Sequence, residues 1–139
     1  MKGILIVSCF LFYTITFAEF KSATEAETKL KTFSSKSFEL KDQSAVEKAE
    51  DDLVDSLSDA VEFAEKAPKN DELNNEIVRV ALVLLKQDKT NYGAEIIIPV
   101  YKKFETEFKT IIKNLPKPDS RLLEESIKSA IREADQGNG

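Results

Sequence analysis

The chain has 139 residues, with 20 Lys and Arg against 25 Asp and Glu, no His, no Trp and one Cys. With no His, and with its one thiol in an N-terminal leader, the chain cannot build a His-assisted nucleophile, a catalytic Cys or a Cys/His zinc site. A net charge of −5 argues against nucleic acid and against anionic membranes as partners, because both demand a basic face.

The first element reads as a secretory signal. Lys2 supplies the positive start, Ile4 to Phe17 is a 14-residue stretch without a charge, and Thr16-Phe17-Ala18 offers small residues for cleavage after Ala18. A membrane span needs roughly 20 apolar residues, so this run is short for a retained anchor. There is no retention tetrapeptide and no apolar tail suited to a lipid anchor. The expectation is a secreted, extracellular protein with no stable membrane anchor. Losing 18 of the 139 residues leaves 121, enough for one domain over 19–139. Cys9 leaves with the leader, so no disulfide is available and the apolar core must hold the fold alone. No Asn-x-Ser/Thr sequon remains.

After the leader, Gly occurs only at 93, 137 and 139, and Pro only at 68, 99, 116 and 118. Long Gly-free stretches bounded by Pro predict helices joined by short turns. The first runs from Ser22 to about Ser34, with Ala23, Ala26, Leu30 and Phe33 at helical spacing and Phe20 just ahead of it. Ser34 to Ser37 then predicts a break, and Phe38 and Leu40 are expected to tack the connection onto the core. The second helix is expected to open with a Ser44/Glu47 capping box and to bury Ala49, Leu53, Leu57, Ala60, Val61 and Ala64, ending at Pro68. The third starts at Asn70 or Asp71 and runs to about Asp88; Ile77 to Leu85 is apolar nearly all round, as a central buried helix would be. Asn91-Tyr92-Gly93 makes a turn. The fourth helix carries Ile97, Val100, Tyr101, Phe104, Phe108, Ile111, Ile112 and Leu115, with a kink near Pro99 if it begins before Ile96. Pro116 and Pro118 stop it. The fifth starts at Asp119 or Ser120 and turns Leu123, Ile127, Ala130, Ile131 and Ala134 inward, with 136–139 as a frayed tail. The predicted fold is an all-α, single-domain bundle of four to five amphipathic helices.

Charge is uneven. Residues 42–76 hold twelve acids against three bases, a net −9, whereas 77–139 hold nine acids and eleven bases, a net +2. Within the acidic segment Asp51-Asp52-Leu53-Val54-Asp55 spells DDxxD, which resembles the aspartate-rich motif with which prenyl-chain enzymes hold magnesium on a diphosphate. Five residues in an acid-rich helix without the second carboxylate cluster and the cationic diphosphate binders do not make that enzyme. The bland reading is a solvated face. No catalytic, cofactor-binding or metal site is expected, and the chain reads as a non-enzyme.

Two binding readings remain. Asp51, Asp55, Asp59 and Glu62 follow at three- or four-residue steps, so like charges line one helix face at about 0.2–0.5 kcal/mol per pair. Such a face suits a basic protein partner, for example a receptor or host factor. The alternative is a carrier of fatty acids or other small apolar ligands in a cavity bordered by Ile77, Leu84, Phe104, Phe108 and Ile127. A third class is an assembly subunit whose wide apolar faces are shared in a dimer. In format (a signal over Met1–Ala18, a Lys/Glu/Ile-rich chain, bundle-sized length) the protein is similar to small secreted helical proteins of arthropod saliva and body fluids. That resemblance implies modulation of a bitten host's immune cells or haemostasis.

Overall fold

The computed structural model describes residues 20–88 and 90–137; the expected signal over Met1–Ala18 lies outside the described residues. Among these residues there are six α-helices, one 3-10 turn and no strand. None of the helices is long and apolar enough to cross a membrane.

Helix α1 spans Ala23–Leu30 and is capped by Ser22, whose Oγ accepts from Glu25 N at 3.1 Å. Ala26 and Leu30 are fully buried, so α1 packs on the bundle. The chain leaves it through a 3-10 turn at Ser35–Phe38, where Ser34 N donates to Ser37 Oγ at 3.0 Å. Phe33 before this turn and Phe38 at its end are buried, as expected, but Leu40 is 48% exposed and tacks nothing down.

Helix α2 is the longest, Gln43–Lys66. Its cap is Asp42, whose carboxylate accepts from Ser44 N at 3.2 Å; the Ser44/Glu47 capping box does not form. Asp is at least as good a cap as Ser. Once the helix starts at Gln43, Ser44 is its second residue and Glu47 is left to accept from Gln43 Nε2 at 3.3 Å. The expected stripe is buried at Leu53, Leu57, Ala60, Val61 and Ala64 and half-buried at Ala49. The C-terminal carbonyls of Glu65 and Ala67 accept from Lys103 Nζ of a later helix, relieving groups that helix geometry leaves unpaired.

Helix α3, Asp71–Asp88, starts where Asn70 Oδ1 accepts from Leu73 N at 2.9 Å. Nine of its eighteen residues are buried and it touches every other helix. It is the central helix that its all-round apolar run predicts. Asn74 is 1% exposed and its Nδ2 has no partner among the described residues, an unpaid donor in the core.

The predicted fourth helix is two helices. α4 spans Tyr92–Lys103 and α5 spans Glu105–Lys113, parted at Phe104, whose φ of −121° and ψ of 48° leave the helical region. Pro99 sits eighth in α4, where it cannot donate to Glu95. The full break comes five residues later, between intact bonds from Phe104 N to Val100 O and from Phe108 N to Phe104 O, both 3.0 Å. The break gives α5 its own rotation. Phe108 and Ile112 point fully inward, while Phe104, Ile111 and Leu115 stay at the core margin.

Helix α6, Lys117–Gly137, begins two residues before the expected Asp119, with Pro118 in the first turn. Proline is pre-organised for that place, because its missing N–H is unpaired there in any case. Leu123, Ile127 and Ala130 are buried, but Ala134 is exposed: from Arg132 onward α6 runs past the bundle.

One long side chain fastens α1 to this core. From α3, Arg79 donates to Leu30 O at 2.8 Å and to Phe33 O at 2.7 Å, while Glu76 accepts from its Nε at 2.8 Å. The guanidinium thereby caps the end of α1 with two charge-assisted bonds. Replacing Arg79 by Met is expected to lower stability by about 1–2 kcal/mol, the side chain being half-exposed and water a partial substitute. Urea unfolding measures the loss. Hydrogen exchange should show amides of 23–33 opening first, and Arg79→Lys should recover only part of it.

Candidate functional site

Two surfaces compete as binding sites. The first is the acidic face of α2. Its positions recur every three or four residues, so one helix face carries Asp51, Asp55, Asp59 and Glu62. Asp51 and Asp55 are exposed, one turn apart, and make no ion pair among the described residues. The other two are engaged. Glu62 accepts from Lys66 at 2.7 Å, and Asp59 is half-buried at the head of the cleft between α1 and α2 and has a partner of its own. Asp52, the second aspartate of DDxxD, is turned to α1, where Lys29 meets it at 3.1 Å. Among the described residues no three carboxylates come together to hold a metal ion.

The cleft beside this face, about 710 Å³, is rich in hydroxyls, yet these serve their own helix: Thr28 donates to Thr24 O and Thr32 to Lys29 O, both at 2.7 Å. A larger cleft of about 770 Å³ between α3 and α5 is lined mostly by polar and charged residues, with Lys69 reaching Asp71 and Glu107 at 3.6 and 3.5 Å.

The five residues of the apolar-ligand reading are placed differently. Ile77, Leu84, Phe108 and Ile127 are buried at 3% exposure or less, and Phe104 is half-buried. Side chain packs on side chain at these positions. Ile127 also borders a surface groove of about 350 Å³ between the end of α4, α5 and α6.

That groove is the second surface, and its residues are spread so that no single stretch of sequence displays it. Tyr101 comes from α4; Lys109, Ile112 and Lys113 from α5; Glu124, Ile127, Lys128 and Ile131 from α6. The Tyr101 ring stands edge-on to Phe108, with centroids 6.2 Å apart and planes at 83°. Burial is the main cause that raises the Tyr101 hydroxyl above the ordinary tyrosine range; Lys109 opposes it, and Glu105 and Glu124 add to it. Lys109 is held by Glu105 at 2.5 Å, and this hydrogen bond with its charge raises the ammonium above its usual value. The available sequence signal was the pair Lys109 and Lys113 one turn apart beside Ile112, but nothing local points it toward Lys128.

No known protein family matches the chain, nor does any curated protein or solved structure.

Proposed function

We propose that the chain is a secreted, non-enzymatic effector that acts by binding a basic protein partner through the exposed face of α2. The observation that carries this reading is the pair Asp51 and Asp55, exposed, one turn apart and without a counter-charge among the described residues. Holding them side by side costs a few tenths of a kcal/mol, which a cationic partner would return as faster encounter and better discrimination. They lie in the segment of net −9, so the field around them is broadly negative. The saliva-like format directs the search to host immune cells and plasma proteins of haemostasis.

The test is labelled protein on leukocytes and on immobilised plasma proteins, compared with the Asp51→Lys/Asp55→Lys variant. Saturable attachment that falls with added salt and weakens about tenfold in the variant is the expected result. Equal attachment of both forms would remove the acidic face from the account. If the unaltered protein attaches to nothing in either setting, the effector reading goes too.

A further inference from the structure

The groove between α4, α5 and α6 is a second surface, on helices other than the one carrying the acidic face. At about 350 Å³ it falls within the roughly 300–1,000 Å³ of small-molecule sites. Its floor is apolar: Ile112 and Ile127 are buried, Tyr101 and Ile131 half-buried. Its rim carries charge. Lys109 is neutralised by Glu105, whereas Lys113 and Lys128 make no ion pair among the described residues. The Tyr101 hydroxyl likewise has no hydrogen-bond partner among them. Two free ammonium groups against Glu124 leave the rim one positive charge.

A hydrocarbon alone would leave the lysines unused, and an inorganic anion would leave the floor unused. A multiply charged phosphate head would also meet Glu124. The complementary occupant is apolar along its length with a single negative charge at one end. We propose that the groove binds one medium-chain fatty acid, its tail on Tyr101, Ile112, Ile127 and Ile131 and its carboxylate held by Lys113 and Lys128. A carboxylate accepts charge-assisted bonds from both amines, and the phenol is a third donor at the same site.

The probes are sodium dodecanoate and its methyl ester, titrated calorimetrically into the purified protein, with native mass spectrometry giving the stoichiometry. One dodecanoate per chain is expected, with the ester about tenfold weaker. Lys113→Gln/Lys128→Gln should bring the acid down to the ester's affinity and leave the ester unchanged. A disturbed fold would move both, and circular dichroism checks that exposed-site variant independently. The proposal is overturned if dodecanoate does not bind, if acid and ester bind alike, or if the variant retains the preference for the acid. Attachment only to phosphatidylglycerol vesicles would assign the lysines to a lipid surface and overturn it. So would a sedimenting dimer from which dodecanoate is excluded, because the occupant would then be a second copy of the chain.

Discussion

Phe108→Ala is expected to lower the stability of the protein by about 3–5 kcal/mol, as truncation of a fully enclosed aromatic ring does. Phe108 heads the fully buried side chains by volume and has no measurable exposure. It sits on α5, a helix of only nine residues that packs on α3, α4 and α6. A helix so short is marginal in water without such packing, so a void there undermines the element itself. Phe108→Leu keeps most of the volume and should cost only about 1–1.5 kcal/mol. Urea unfolding gives both numbers, with an unchanged slope showing that the denatured state is the same. The change also removes the edge contact to Tyr101, so near-ultraviolet dichroism should lose tyrosine signal and the groove above should loosen. A cost below about 1 kcal/mol would mean that the interior near α5 is slack. Phe108 would then border an internal cavity of the kind an interior carrier requires.

What the sequence displayed and what it concealed divide along a physical line. Apolar periodicity and punctuation act within one helix, and they placed α2, α3 and the buried stripes of both. Pro68, Asn70 and Pro116 marked ends because each alters backbone bonding in its own neighbourhood. The break at Phe104 carries no Gly or Pro of its own and answers instead to how α5 must turn to bury Phe108 and Ile112. Arg79 looked like one charge interrupting an apolar run, since its carbonyl partners lie 46 and 49 residues away. The acidic row was legible as a row. That Asp52 would be taken up by Lys29 depends on a neighbour that only the packed bundle brings near, whereas Lys66, which engages Glu62, stands one turn on in the same helix. The groove was hidden for the same reason as the Asp52 pairing: three helices contribute to it, and none shows the whole site alone.

The close approach of α3 and α4 gives the other large effect, and its sign depends on opposing terms. Alanine is worth about 1 kcal/mol more than glycine inside a helix, and Gly93 is the second residue of α4. On propensity alone, Gly93→Ala should stabilise. A Cβ at Gly93, however, would stand 2.7 Å from the carbonyl oxygen of Ala81 and 3.2 Å from Leu85 Cγ. Leu85 can yield by a few tenths of an ångström, but Ala81 O belongs to the hydrogen-bonded backbone of the central helix and cannot swing aside. Relief requires α4 to move off α3, lifting the fully buried Ala94 and Ile97 from their contacts. Overpacking of this kind costs typically 1–3 kcal/mol and sometimes more. Gly93 lies in the first turn, where the propensity gain is small, so the steric term wins. We expect a net loss of about 2 kcal/mol. Gly137 is the matched control, because a Cβ there meets nothing within 4 Å at the exposed end of α6. Gly137→Ala should therefore be neutral or stabilising by a few tenths of a kcal/mol. Thermal unfolding of the two variants side by side decides it. If Gly93→Ala proves as harmless as Gly137→Ala, the two helices do not meet as closely as that carbonyl requires.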